Sequence, residues 1–145
     1  NRMSEMEVCE AKDGQKILHG HVYIAPGDRH LLVVPDGDGY ICQLSDGVRV
    51  NRHRPAVDVM FRSVAQNVNA HTVGVILTGM GADGAEGLKE LHDTGAFTVA
   101  QDEETSVVWG MPGASVKLGV VDRILPLSKV ANEVLKHINS PCLAG

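Results

Sequence analysis

Short extended segments separated by turns dominate the first third of the chain. Residues 6–11 and 21–25 carry the apolar, β-branched and aromatic side chains typical of strands. Residues 30–34 and 40–44 flank Asp36-Gly37-Asp38-Gly39, a turn composition that strongly favours a β-hairpin. We therefore predict that this first section is antiparallel.

The hydrophobic period becomes helical after Arg54-Pro55, where proline suits the first position of a helix. The apolar residues that then share one helical face are Val57, Met60, Phe61, Val64 and Val68. A different pattern follows them, in which short apolar runs alternate with helical periods. It predicts strands within residues 72–78, 96–100 and 120–125, and helices over 85–93 and 112–118.

A last helix, capped by Ser128, has Val130, Val134, Leu135 and Ile138 on one face. Strand, helix and strand in alternation imply right-handed crossovers and a parallel sheet covered on both faces. The predicted fold is therefore α/β: a doubly wound, mostly parallel sheet in three α/β/α layers, with an antiparallel β-hairpin.

Composition narrows the classes of function. The 145 residues are 43% apolar with only five aromatic side chains, so an aliphatic core is expected. A net charge of −5 without a basic cluster argues against a nucleic-acid partner, and the short apolar runs argue against membrane insertion. The odd number and wide spacing of the three cysteines (Cys9, Cys42 and Cys142) argue against a disulfide framework and a zinc motif. We expect a cytoplasmic location.

The segment from Val73 to Ala85 has the most informative pattern, because a buried strand ends there in a glycine-rich loop that opens a helix. Open α/β sheets bind ligands at this carboxyl edge. Gly79-x-Gly81-x-x-Gly84, followed by Asp102, fits a dinucleotide-binding fingerprint. Against this interpretation, Asp83 and Glu86 place negative charge where a pyrophosphate would bind.

Two other interpretations of the loop depend on Asp83. In the simpler one, the glycines permit a tight turn and Asp83 caps the following helix. In the other, an ionised carboxylate held at the helix start orients a catalytic histidine and stabilises its charged form. The spacing alone leaves these interpretations open.

Four sequence blocks, in order, resemble the catalytic domain of the chemotaxis protein-glutamate methylesterases (CheB type). They are His19-Gly-His-Val-Tyr-Ile-Ala-Pro-Gly-Asp-Arg-His30, Asn51-Arg-His-Arg-Pro-Ala-Val-Asp58, Val73-Gly-Val-Ile-Leu-Thr-Gly-Met-Gly-Ala-Asp-Gly-Ala85, and the pair Ala100-Gln-Asp-Glu and Val107-Val-Trp-Gly-Met-Pro112. The resemblance covers residues 7–138. It implies a doubly wound α/β fold.

The resemblance also implies an activity: hydrolysis of γ-methyl glutamyl esters on cytoplasmic helices of chemoreceptors, with glutamine deamidation in some members. The family uses a Ser-His-Asp triad without a metal or organic cofactor, and its aspartate corresponds to Asp83. Met80 and Gly81 then belong to the active-site loop, while Trp109 and Met111 are candidates for lining the cleft. Both residues also suit simple filling of apolar space.

The serine and histidine motifs of the family, Gly-Ala-Ser-x-Gly-Gly and Gln-His-x-Pro, do not occur in this sequence. The similar Gly113-Ala-Ser115 lies on a predicted helix and lacks the closing glycines. We therefore expect residues 1–145 to be one N-terminally incomplete catalytic domain, with an extended and hairpin section (1–50) and an α/β section (51–145). An N-terminal receiver domain is plausible by resemblance. The alternative is an inactive receptor-binding or regulatory remnant of the fold.

The seven histidines offer no assignable catalytic or metal role. His19, His21 and His30 fall on neighbouring predicted strands, but no cysteine or carboxylate accompanies them at a diagnostic spacing. We predict no metal site and no cofactor.

Overall fold

The computed structural model describes residues 6–139, which fall into two compact units that divide between Val68 and Asn69. The first unit contains the strands β1 (Glu7–Glu10), β2 (His21–Ile24), β3 (His30–Asp36) and β4 (Gly39–Ser45), and the helix α1 (Val57–Asn67). The sequence pattern predicts that α1 belongs to the later α/β section, but the structure packs it against β3 in the first unit.

The predicted hairpin is confirmed. Strands β3 and β4 pair antiparallel with Asp36 opposite Gly39, which leaves a two-residue loop. The outer edge of β4 pairs with the chain that follows β1, through Gly14 N–H to Cys42 O (2.8 Å) and Ile17 N–H to Tyr40 O (2.9 Å). Strand β4 therefore has backbone partners on both sides.

Polar side chains of α1 satisfy the other edge of the hairpin. Ser63 Oγ accepts a hydrogen bond from Val33 N–H (2.9 Å) and donates to Met60 O (2.7 Å), and Asn67 Nδ2 donates to Val33 O (2.9 Å). This explains why α1 buries Ser63 beside Phe61. The sequence pattern predicted an apolar face only, but the backbone edge of β3 requires polar partners.

The pairing of β1 with β2 is parallel, with Glu7 opposite His21, so the prediction of an entirely antiparallel first section is wrong for these strands. Residues 11–20 connect them by running along the outer edge of β4 and returning. That path provides the crossover that a parallel pair requires. The buried core of this unit includes Ala11, Leu31 and Cys42. Burial and the nearby Cys9 thiol raise the pKa of the Cys42 thiol.

Two arginines of the connection between β4 and α1 converge on Asp28, which lies in the loop between β2 and β3. The Arg54 guanidinium donates to Asp28 Oδ1 (3.0 Å) and to the carbonyl oxygens of Asp46 (2.9 Å) and Gly47 (3.1 Å). Arg49 also reaches Asp28 Oδ1 (3.3 Å). The hydrogen bond and positive charge of Arg54, with Arg49 nearby, hold the pKa of Asp28 below its ordinary value.

The second unit is the predicted α/β arrangement. It contains β5 (Val73–Ile76), α2 (Ala85–Asp93), β6 (Phe97–Gln101), α3 (Gly110–Lys117), β7 (Arg123–Leu125) and α4 (Leu127–Asn139). The three strands are parallel in the order β5-β6-β7. The observed bounds of α2 are identical to the predicted ones.

Helices cover both faces of this sheet. On one face, Val75 of β5, Val99 of β6 and Leu125 of β7 pack against Val130 and Val134 of α4. The opposite face carries Gly74 and Thr98, and a Cβ built on Gly74 would lie 2.8 Å from the Leu88 side chain of α2. Helix α3 packs beside α2 against β6. Because strand side chains alternate between faces, the second unit has three α/β/α layers, as predicted.

Three predicted helix starts are wrong by two positions. Helix α3 begins at Gly110 instead of Pro112. Helix α1 begins at Val57 after Ala56, so Pro55 precedes the N-cap instead of occupying the first helical position. Helix α4 begins at Leu127, so Ser128 lies inside it and is not its cap. The Leu127 N–H donates instead to Thr105 Oγ1 (3.0 Å), because a side chain distant in sequence satisfies the free donor.

We predict that Asp28→Asn destabilises the first unit at neutral pH. Asparagine also tolerates the left-handed backbone of Asp28 (φ 64°), so the change removes chiefly the charge. Because folding lowers the pKa of Asp28, its stabilisation is complete above an unfolded-state pKa of about 3.9 and disappears as pH falls through the folded-state pKa. Thermal melts should differ between variant and parent at pH 7 and converge as the pH falls from the unfolded-state pKa through the lower folded-state pKa.

The control is Asp38→Asn, which removes an exposed carboxylate of the β3–β4 loop that forms no ion pair among residues 6–139. An equal pH-dependent loss in both variants would contradict a specific role for Asp28.

We predict that Ser63→Ala lowers the free energy of unfolding by about 1–3 kcal/mol, because it leaves the Val33 N–H without its acceptor in a part-buried position. Urea unfolding measures this directly. The matched control, Ser128→Ala, changes an exposed serine and should cost less than about 0.5 kcal/mol. Comparable losses would show that the β3 edge does not depend on α1.

Candidate functional site

The glycine loop, residues 78–84, leaves the carboxyl end of β5 and enters α2. Asp83 in this loop is only 7% exposed. The N-cap of α2 is Gly84, with φ of 97° and no side-chain cap hydrogen bond, so the interpretation of Asp83 as the N-cap residue is wrong. Asp83 is instead a buried carboxylate immediately before the cap, next to the first turn of α2.

Backbone groups hold the glycine loop against the start of α3. Gly79 N–H donates to Val108 O (3.0 Å), and Gly79 O accepts from the N–H groups of Gly110 (3.1 Å) and Met111 (2.9 Å). A Cβ on Gly110 would lie 2.7 Å from Gly79 O, 2.8 Å from Gly81 O and 2.9 Å from Gly81 N. The absence of a side chain at Gly110 therefore permits this close approach.

Trp109 and Met111 pack beside the backbone contact between the glycine loop and α3. The Trp109 indole N–H donates to Gln101 O (2.8 Å), and the ring lies against the Cα of Gly113. The Met111 side chain occupies the space that a Cβ on Gly79 would need. Both residues are only partly exposed. The structure thus brings Gly79, Gly81, Trp109 and Met111 together, with Trp109 and Met111 shaping the loop from beneath.

Met80, unlike Trp109 and Met111, has a strongly exposed side chain (78%). Val107, Val108 and Leu77 are also exposed, at 90%, 39% and 41%. Thr78 Oγ1 donates to Val108 O (3.0 Å) and accepts from Val108 N–H (2.9 Å), which joins the loop that carries Val107 to the one that carries Met80. These four apolar residues form an exposed rim along the same pair of loops.

Gln101 is a structural member of the site to which sequence analysis gave no role. It is 1% exposed at the end of β6. Its Oε1 accepts from Thr78 N–H (2.8 Å), and its Nε2 donates to Thr105 O (2.8 Å). A polar residue at the end of an otherwise apolar strand was the available clue. Gln101 cross-links the carboxyl ends of β5 and β6 beneath the glycine loop.

The geometry gives other roles to the residues of the dinucleotide fingerprint. The Met111 side chain fills the space beside Gly79, and the backbone of Gly81 lies against Gly110. Asp102, the candidate ribose ligand, accepts from Thr105 N–H (3.0 Å) and Thr105 Oγ1 (2.6 Å). Gly79 is thus explained by packing of the loop on α3, whereas Gly81 and Gly84 are explained by their positive φ of 85° and 97°.

Ser115 and His30 are both engaged in the fold. Ser115 is fully buried in α3, where its hydroxyl donates to Met111 O (3.1 Å), so it is not an accessible nucleophile. His30 Nδ1 accepts from Ala56 N–H (3.2 Å), which leaves Nε2–H to donate to Val48 O (2.8 Å). Among residues 6–139, no three His, Cys, Asp or Glu side chains are grouped to hold a metal ion.

Comparison with known proteins places these features in a family. The family model described as CheB methylesterase matches residues 1–134. A protein-glutamate methylesterase/protein-glutamine glutaminase of Hydrogenovibrio crunogenus is 62% identical over 138 residues, 95% of this chain and 37% of that protein. A second protein with this name, from Saccharophagus degradans, is 58% identical over 134 residues, 92% of this chain and 38% of its own length.

A solved structure agrees with the sequence relatives. The crystal structure of the Thermotoga maritima CheB methylesterase catalytic domain is 38% identical with a TM-score of 0.85, and the match covers 88% of this chain and 67% of that domain. The chain spans just over a third of the length of the curated relatives quoted above. It carries the predicted fold and the Thr-Gly-Met-Gly-Ala-Asp loop in its expected place, and it belongs to the CheB methylesterase family.

Proposed function

We propose that this chain is the part of a protein-glutamate methylesterase that supplies the acid member of a Ser-His-Asp triad. The observation that carries the proposal is Asp83: a buried carboxylate before the N-cap of α2, in a loop fixed at the carboxyl edge of the sheet. The serine and histidine motifs do not occur in these 145 residues. The proposed reaction is hydrolysis of γ-methyl glutamyl esters, with deamidation of glutamines as a second activity.

In this mechanism Asp83 accepts a hydrogen bond from the catalytic histidine, fixes its tautomer and stabilises the imidazolium. The histidine takes the proton of the serine hydroxyl as that oxygen attacks the ester carbonyl, and then protonates the departing methanol. Water releases the glutamate. Asp83 is the residue of this chain with a triad role, and its rigidity comes from the loop contacts with Gly110 and Met111.

The substrates in this proposal are the cytoplasmic helices of methyl-accepting chemoreceptors, and the protein acts in the cytoplasm. Met80 and Val107 suit contact with the polypeptide around the modified glutamate, because they are strongly exposed and their loops are fixed to one another. Within the described part of the chain, no helix is both long and apolar enough to cross a bilayer. An N-terminal receiver domain stays a prediction.

A second candidate is a receptor-binding or regulatory protein without esterase activity. These 145 residues contain neither the serine motif nor the histidine motif, so the two candidates differ in whether the whole protein supplies them. A protein without either residue would have little esterase activity, because triad members act as a unit. Both candidates predict that the isolated chain releases no methanol from methylated receptor, so a test must supply the other triad members.

We predict that Asp83→Asn lowers turnover by about 10⁴-fold in a chimaera in which this chain replaces the matching 138 residues of the Hydrogenovibrio crunogenus relative. Asparagine keeps the shape of the side chain but removes the charge that orients the histidine. Methanol release from methylated receptor measures the turnover, and circular dichroism confirms folding. Glu86→Gln is the matched control, since Glu86 is an exposed acid in the first turn of α2.

Near-parental methanol release by the Asp83→Asn chimaera would refute the triad assignment. An inactive parental chimaera that folds and binds receptor would favour the regulatory candidate.

We predict that Gly110→Ala lowers the free energy of unfolding by about 1–3 kcal/mol and chimaera turnover by roughly 10- to 100-fold. The added methyl group would meet the backbone of Gly79 and Gly81, which cannot shift without moving the glycine loop. Urea unfolding and methanol release measure the two effects. Gly27→Ala is the control, because nothing lies within 4 Å of the added carbon. Unchanged activity in Gly110→Ala would show that the loop contact does not position the site.

A further inference from the structure

The block from Asn51 to Asp58 has no role in the triad proposal, although it contains a sharply defined turn. Val50 N–H donates to His53 O (2.9 Å), and His53 N–H donates to Val50 O (2.9 Å). The two residues between them have positive φ, 54° at Asn51 and 69° at Arg52. Both dihedrals are those of a tight hairpin turn that normally carries Asn-Gly.

Arginine is a costly residue at the second position of this turn, because its Cβ disfavours the left-handed backbone. The surroundings hold the turn in place. Asn51 Nδ2 donates to the buried Asp58 carboxylate at the start of α1 (2.6 Å). On the other side, Arg54 bonds Asp28 and the carbonyl oxygens of Asp46 and Gly47. These contacts fix the backbone of the turn, and so they fix the positions from which its two outer side chains extend.

Those outer side chains are Arg52 and His53, and both are exposed. The neighbouring arginines already have acidic partners: Arg49 and Arg54 share Asp28, and Arg29 pairs with Asp46. Among residues 6–139, no hydrogen bond or ion pair engages the side chain of Arg52. A full positive charge is thus presented at the tip of a fixed turn, on a chain whose net charge is −5.

The proposed reaction makes its substrate more acidic with each turnover. Ester hydrolysis and glutamine deamidation both convert a neutral side chain into a glutamate carboxylate. A negatively charged protein is repelled by such a helix unless it presents a local positive group. Guanidinium is the side-chain group best matched to a carboxylate, because its donors pair with both oxygens.

We propose that the turn at residues 50–53 is a docking surface for the glutamate carboxylates of an acidic receptor helix, with Arg52 as the contact residue. The proposal depends on the proposed function for the identity of the partner. It differs from the triad assignment in that it concerns positions already hydrolysed, and it predicts tighter binding to the product form of the receptor than to the neutral form.

The test measures binding of the 145-residue chain to a fluorescein-labelled helical peptide that carries either glutamates or glutamines at the same positions. At low ionic strength the parental chain should bind the glutamate peptide roughly three- to tenfold more tightly, and salt near about 0.15 M should reduce the difference. Arg52→Glu should abolish the preference. Arg52→Asn should also abolish it, and asparagine keeps the left-handed backbone of the turn. The control Lys129→Glu makes the same change in net charge at an exposed site on α4 and should retain the preference.

Several outcomes would overturn the proposal: no preference in the parental chain, an equal loss in Arg52→Glu and Lys129→Glu, a preference retained by Arg52→Asn, or tighter binding to a single-stranded oligonucleotide than to the glutamate peptide. The result is separable from the triad assignment. Asp83→Asn should leave peptide binding unchanged, whereas Arg52→Asn in the chimaera should raise KM for glutamate-rich receptor and leave kcat unchanged.

Discussion

The close approach of two backbone segments, the glycine loop and the start of α3, determines the geometry of the candidate site. Gly79 O accepts two N–H groups from the first turn of α3, and Gly110 leaves room for Gly79 and Gly81 to lie against it. Backbone-to-backbone contact of this kind has little rotamer freedom, so it fixes the loop more firmly than side-chain packing would. The buried position of Asp83 and the exposure of Met80 are both consequences of one loop held at its base.

Side chains that bond to backbone groups perform much of the remaining assembly. Ser63 and Asn67 satisfy β3, Thr105 satisfies the first N–H of α4, and Gln101 joins the ends of β5 and β6. Such contacts are specific, because a buried backbone donor without an acceptor costs more than a lost apolar contact of similar size. They explain how a chain with few aromatic residues positions its loops accurately.

Local sequence patterns predict the elements that depend on nearby residues and do not predict those that depend on distant partners. The bounds of α2 follow directly from a helical period bracketed by glycine turns. The parallel pairing of β1 with β2 depends on where residues 11–20 run, which no local pattern records. Asp83 was assignable to the site by resemblance, but its position before the cap depends on the left-handed conformation of Gly84. The role of Gln101 depends on its bond to Thr78, which lies 23 residues away in sequence.

The helix α1 has a consequence for how the protein behaves at high concentration. A hairpin strand with unpaired N–H and C=O groups is a template on which strands of other molecules add, and this addition begins many aggregates. Ser63 and Asn67 occupy those groups at Val33, while residues 14–17 occupy the far side of β4. The packing that orients α1 therefore also protects the hairpin against intermolecular strand addition, and any loosening of α1 would expose a growth point for aggregation.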